Sequence, residues 1–394
     1  MKKQVTALGA LLFLFSCFIL GGCSSDLSTS PEPSPAISQK SATSPDIKDV
    51  LIGYKGAKPY SVLQATGAII KREYKYLPVI SASVPAGNLG KLTNNPNISH
   101  VVENYTRDYC AQVLDWGIDR IDAEVVHASG NKGAGINVCI LDSGADMDHP
   151  DLTFAGGYSV LGEPDYWEDQ NGHGTHCAGI VSADDNDFGV IGVAPDCNLY
   201  VVQINKSGPI WQDDIMAGFD WVIGTYYDGD PGNDIDIMSM SWGGYYSDAL
   251  EEAALQTCYD LGILMFGAAG NEEGAIIYPA KYETVVAVTA MWVDDSFAYF
   301  SNFGPEAEFI APGRLIYSTY KRGRYFSLSG TSMSCPMVAG VAAVAWADNP
   351  GYSGQQIRQL LRDTAEDIGL IFYQQGYGLI DAENAVLGTT GGNN

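Results

Sequence analysis

The sequence predicts an α/β fold, a mostly parallel central sheet flanked by helices, preceded by a small α+β unit. Three observations carry this. The run INVCIL at 136–141 is apolar without alternation, the pattern of a strand buried on both faces of a sheet. The stretch SMSCPMVAGVAAVAW at 332–346 is small and apolar throughout and reads as a buried helix, with Pro336 tolerated in its first turns. From Asp49 onward, VLIGYKG, two further β-rich runs in LQATGAIIKREYKYLPVISASVPA, and a third after a short helical piece in GNLGKLTNNPNISHVVENY make a compact α+β module.

With 394 residues, 46% of them hydrophobic, the chain has material for one large domain plus accessories. Against 47 Asp and Glu stand only 21 Lys and Arg, a net charge of −26, which disfavours nucleic acid and anionic membrane surfaces as partners. No period of repeats recurs. Residues 1–22 carry Lys2 and Lys3 and then an apolar run from Val5 to Leu20, the layout of a signal peptide rather than of a span of about 20 apolar residues. The following Leu20-Gly21-Gly22-Cys23-Ser24 resembles the bacterial lipobox, which implies lipidation of Cys23 and a precursor anchored to a membrane outside the cytoplasm. Residues 23–47 are a Ser/Pro-rich linker too poor in large apolar side chains to order themselves. The α+β module spans 48–110, a large domain 111–388, and a short tail 389–394.

Three motifs in the large domain carry chemistry. The strand INVCIL ends in Asp142, followed by small residues and Gly144; a carboxylate there can orient an imidazole or merely cap a turn. In NGHGTHCAGI, His173 stands between two glycines before a helical stretch, where a peptide backbone could approach closely. The His173/His176 spacing lacks the intervening Glu and third ligand of a zinc site. In SGTSMSCPMVAG, Ser332 begins the buried helix, near the positive end of its dipole; it, or Thr331, could equally be an N-cap.

Asp142, His173 and Ser332 follow one another in the order of the subtilisin triad. With HPDL at 149–152, GVAP at 192–195, MSMSWGG at 238–244, GAAGN at 267–271, IAPG at 310–313 and YGLIDAENAV at 377–386, the chain from Ala111 to Val386 resembles a subtilisin-like serine protease. The 48–110 module resembles that family's inhibitor-type, ferredoxin-like propeptide, above all in LGKLTNNPNISHVVEN. The resemblance implies an endopeptidase made as an autoprocessed zymogen, with Ser332 as nucleophile, His173 as general base and acid, Asp142 as its orienter and Asn271 as oxyanion-hole donor. It implies that Ser241-Trp242-Gly243 and Ala268-Ala269-Gly270 clamp an extended polypeptide substrate, with Trp242 at a position usually aliphatic in the family. Ile277 stands where glycine is common at the base of the primary pocket, which implies a shallow one. A structural calcium site carries over as Gln112, Asp151, Asn186 and the carbonyls of Asp184, Phe188 and Val190; Asp184, usually apolar, could add a carboxylate or only surface charge.

Of eight cysteines, Cys17 goes with the signal peptide and Cys23 with the lipid, leaving Cys110, Cys139, Cys177, Cys197, Cys258 and Cys335. Their connectivity is open. Cys177, four residues after His173, resembles the thiol beside the histidine of proteinase-K-like members, and like Cys335 reads as small core filling rather than a nucleophile. Because Ala111-Gln112 resembles a mature N-terminus, autoprocessing is expected within about two residues of Cys110. That cut leaves five cysteines in the mature domain, so at least one must lack an intramolecular partner. It also separates the catalytic domain from Cys23, unless the cut propeptide stays bound as inhibitor. The alternatives are a dedicated processing protease of narrow specificity and a silent, propeptide-blocked binding protein.

Overall fold

A computed structural model describes residues 47–104 and 112–388. The chain divides into two compact units, Met1–Arg107 and Asp108–Asn394. The expectations for the signal peptide, Cys23, the linker, Cys110, Ala111 and the tail lie outside the described residues.

In the first unit β1 (Ile47–Tyr54), α1 (Tyr60–Ala65), β2 (Ile69–Glu73), β3 (Val79–Pro85), α2 (Leu89–Thr93) and β4 (Ile98–Glu103) follow in sequence. The sheet order is β2-β3-β1-β4, every pair antiparallel, the arrangement of a ferredoxin-like βαββαβ unit. Strand β1 alternates, with Val50, Ile52 and Tyr54 buried, and these pack on Leu63 of α1 and Leu92 of α2 in a single small core. Sequence periodicity misses α1: it is short, has no side-chain cap, and buries only Leu63.

The second unit opens with α3 (Trp116–Arg120) and α4 (Ala123–Ala128). Then come β5 (Asn137–Asp142), β6 (Gly156–Ser159), α5 (His173–Ser182), β7 (Asn198–Gln203), α6 (Gln212–Thr225), β8 (Ile237–Met240), α7 (Ala249–Leu261), β9 (Leu264–Ala268), β10 (Val285–Met291) and β11 (Ala307–Pro312). The hairpin β12 (Ile316–Tyr320) and β13 (Arg324–Leu328) leads to α8 (Thr331–Asp348). Seven strands form one sheet in the order β11-β10-β9-β8-β5-β7-β6, and all six pairings are parallel. From β5 the chain first fills one side, placing β6 at the edge and then β7 between it and β5, and afterwards builds outward on the other side, from β8 to β11. β5 therefore lies at the switch point, where open α/β sheets bind ligands beyond the C-terminal ends of the strands.

All six residues of β5 are buried, because helices cover both faces. Val138 and Ile140 join the core that contains Cys177 and Ala178 of α5 and Val341 of α8, whereas Cys139 and Leu141 join the core with Phe219 of α6 and Leu255 of α7. The period of two then carries Asp142 to the α5 and α8 side. Helix α8 is apolar on every face, with Met333 through Trp346 buried, as its composition predicts; Pro336 sits inside it.

Candidate active site

Asp142 is the last residue of β5 and His173 the first of α5. The two elements meet closely because the residue after the histidine is glycine: a Cβ at Gly174 would lie 2.1 Å from the Gly144 carbonyl oxygen. The imidazole Nδ1 stands 2.8 Å and 3.0 Å from the two carboxylate oxygens of Asp142. Asp142 is buried, 4% exposed, while 29% of the His173 side chain is open. Burial opposes a charged imidazole, but the adjacent Asp142 carboxylate outweighs it and holds the His173 pKa well above its ordinary value.

Ser332 is the second residue of α8. Its Oγ donates to the Ser241 carbonyl at 3.1 Å, and Ser241 Oγ donates to the Ser332 carbonyl at 2.9 Å, so helix start and the end of β8 are tied reciprocally. Cys177, one turn after His173, brings the third group in: its Sγ lies 4.0 Å from His173 Nδ1 and donates to the Ser332 carbonyl at 3.5 Å. That sulfur is fully buried and burial raises its pKa, so it is a neutral thiol that packs between base and serine.

Asn271 lies beside the same helix start. Its Oδ1 accepts from the Thr331 N–H at 2.8 Å and from Thr331 Oγ1 at 3.2 Å. A backbone N–H can only donate, so the amide orientation is fixed and Nδ2 remains as the donor end. Thr331 Oγ1 also accepts from the Gly270 N–H at 3.1 Å. Thr331 is thus no N-cap; that place belongs to Gly330, and the threonine joins the Gly270-Asn271 loop to α8.

One further residue escapes sequence reasoning. Asp169, buried, accepts from the N–H groups of Asn171, Gly172 and Thr175 and from Ser143 and Thr175 hydroxyls, fixing the loop that delivers His173; its signal was a lone Asp four residues upstream. Trp242 Nε1 donates to the Leu141 carbonyl at 2.7 Å, joining the segment after β8 to the strand that ends in Asp142. His176 takes no part in the chemistry: its Nε2 faces the Ile316 and Phe326 carbonyls, and burial lowers its pKa to about 4.

Ser241, Trp242 and Gly243 directly follow β8, and Ala268, Ala269 and Gly270 end and follow β9, so both segments lie at the same edge of the sheet as Asp142. Ile277 lies between them: its Cδ1 would be 2.7 Å from a Cβ on Gly243 and 3.0 Å from one on Gly270.

The calcium candidates also converge. Gln112 Nε2 lies 2.7 Å from the Asp184 carbonyl oxygen and 3.1 Å from that of Val190; Asn186 Nδ2 donates to Asp151 Oδ1, and the Val190 N–H to Asp151 Oδ2. Phe188 enters through its N–H on Asn186 Oδ1. The Asp184 carboxylate accepts from Thr153, so the residue turns its carbonyl rather than its side chain toward Gln112. Asp151 is fully buried, and its carboxyl is pushed up by burial. A Cβ on Gly189 would fall 2.2 Å from Asp151 Oδ2, so only glycine leaves the cradle clear. The Asp184 and Val190 carbonyls and the buried Asp151 carboxylate supply the oxygens that Ca²⁺ takes, and the Gln112 amide, whose nitrogen now bonds both carbonyls, would add its own oxygen by turning over.

The five described cysteines, Cys139, Cys177, Cys197, Cys258 and Cys335, are free and buried. Among the described residues no helix is long and apolar enough to cross a membrane.

An imidazole held by one buried carboxylate, beside the first turn of a serine-bearing helix at the switch point of a parallel sheet, is the chemistry of a serine hydrolase. Comparison with known proteins narrows that class. The profile of the subtilase family, Peptidase_S8, matches residues 133–378. The chain is 39% identical over 313 residues to a thermostable alkaline protease of Halalkalibacterium halodurans, covering 78% of this chain and 83% of the relative. It is 41% identical over 281 residues to subtilisin DY of Bacillus licheniformis, 70% of this chain and 99% of the relative. To subtilisin NAT of Bacillus subtilis subsp. natto it is 34% identical over 352 residues, 86% and 90%. The chain belongs to the subtilase family and is a serine endopeptidase.

Proposed function

We propose that hydrolysis runs through Ser332, His173 and Asp142, and the reading rests above all on the Asp142 carboxylate bonded to His173 Nδ1. That bond leaves Nε2 as the working nitrogen. His173 takes the Ser332 proton as Oγ attacks the scissile carbonyl and returns it to the leaving amine; the acyl-enzyme is then released by water. The oxyanion is received by the Asn271 amide and the Ser332 N–H, whose position at the start of α8 adds the positive end of the helix dipole. Substrate runs extended between Ser241-Trp242-Gly243 and Ala268-Ala269-Gly270, and Ile277 closes the base of the primary pocket, favouring a small side chain there.

Gln112, Asp151 and Asn186, with the Asp184, Phe188 and Val190 carbonyls, would hold Ca²⁺, whose role is to stabilise the loop and the start of the domain. The 48–110 module acts as folding aid and inhibitor until cleavage near Cys110, and Cys23 anchors the precursor on the outer side of a membrane. The fluorophosphonate label is the test: it should modify Ser332 in the processed protein and not in Ser332→Ala. No labelling of the processed protein, beside a labelled subtilase control, would overturn the assignment. N-terminal sequencing of that protein should begin between Arg107 and Leu114; a start outside that window would refute the processing site.

A further inference from the structure

The segment after β8 borders a second recess. A cavity of about 230 Å³ is lined by Gln212, Ile215, Trp242, Tyr246, Glu251 and Tyr278, with the backbone of Gly243 and Gly244 at its edge. Glu251 lies in the first turn of α7 and is only 4% exposed. Such a carboxylate ordinarily meets a cation or several strong donors. Here the Gln212 amide reaches it at 3.4 Å, and among the described residues no Lys, Arg or His pairs with it. Burial, with Asp248 adding to it, pushes the carboxyl upward. The remaining walls are aromatic: Trp242 and Tyr278 are half-buried, and Tyr246 stands at the rim, 89% exposed. A buried anion among aromatic faces is the combination that receives an ammonium or guanidinium.

Position makes the recess relevant to the reaction. Ser241 is bonded to Ser332, and Gly244, three residues on, pairs with Tyr278. At about 3.3 Å per extended residue, the cavity is within reach of a substrate side chain two to four positions from the scissile bond.

We propose that this cavity is a substrate subsite selecting lysine or arginine, with Glu251 as the counter-ion and Trp242 and Tyr246 as its aromatic walls. The inference rests on the reading that substrate runs beside Ser241-Trp242-Gly243. It makes Glu251 and Trp242 specificity-determining residues outside the reaction centre.

The test is a positional-scanning peptide library cleaved by the processed full-length product, comparing lysine with its neutral isostere norleucine at each position out to four residues on either side. At one position lysine should exceed norleucine by about tenfold in kcat/KM. Glu251→Gln should erase that advantage and leave norleucine peptides cleaved within about twofold of the original rate. The wild type alone supplies a second readout, since acetylation of the lysine should erase the same advantage. A flat profile with neutral peptides well cleaved overturns this inference and leaves the protease reading standing. So does a lysine preference that survives Glu251→Gln or acetylation, or a lowered Tm with the ratio unchanged, which would make Glu251 a helix-end residue only. Failure to cleave any peptide would overturn the protease reading and this inference together.

Discussion

The two backbone segments beside the reaction centre are built to opposite plans. After β9 the chain offers Ala268, Ala269 and Gly270, two small buried side chains and a left-handed glycine whose added Cβ would lie 2.3 Å from Asn302 Nδ2. After β8 it offers Trp242, packed toward Phe219 with ring centroids 6.4 Å apart and tied through its indole N–H to Leu141. Neither glycine, Gly270 in the first or Gly243 in the second, has room for a side chain, but the second segment also carries the largest side chain the genetic code has. On the proposed assignment, reacting groups would be held by strand ends, helix starts and short side chains, whereas choice among substrates would fall to a few large residues that this frame leaves room for.

That contrast can be broken from the catalytic side first. Asp142→Asn should lower kcat on the order of 10⁴-fold while the fold persists. It should also move the pH profile. His173 must be neutral to accept a proton, so the wild-type rate rises as pH climbs through the elevated His173 pKa. Without the carboxylate, burial, the largest single influence on the ring, favours the neutral form against only the Cys177 sulfur, so the acidic limb of kcat/KM should shift to lower pH. A limb that does not move would show that Asp142 does not set the charge of His173.

Next in size, Asn271→Ala should cost about 10² to 10³ in kcat with KM little changed, because the amide acts on charge that exists only in the transition state. Equal losses in binding and turnover would assign it to substrate positioning instead. Ile277→Gly tests the selectivity side: it removes the side chain lying between Gly243 and Gly270 and should raise the relative kcat/KM for large primary side chains by about 10- to 100-fold. An unchanged profile would mean that Ile277 does not form the pocket base. The smallest effect lies furthest from the chemistry. Chelation should lower Tm by several degrees without changing kcat at low temperature, and Asp151→Asn should abolish that sensitivity.

Much of the catalytic frame is legible in the sequence because it depends on short local patterns. An apolar run ending in Asp142, glycines around His173, and a small-residue helix from Ser332 each specify an element end, and the structure sets all three residues at such ends. Sheet order is not legible: nothing local in β5 says that its neighbours are β7 and β8. Nor is the environment of Glu251, since a Glu in the first turn of a helix reads as a solvated charge at the dipole and becomes a buried anion only when α6 and Trp242 close over it. For Asp184 the sequence left two choices, and Thr153, 31 residues upstream, decides between them. What escapes is what depends on partners brought together by topology.

The five free thiols among the described residues of the second unit have a consequence for how the molecule fails. Each is buried and none is paired, so while the fold holds they are out of reach of oxidants, and burial holds Cys197, Cys258 and Cys335 near a pKa of about 12. Unfolding releases all of them at once into whatever redox environment surrounds the protein. Heat inactivation in air should therefore be locked in by random cross-linking, and the same heating under a reductant should leave more activity recoverable on cooling.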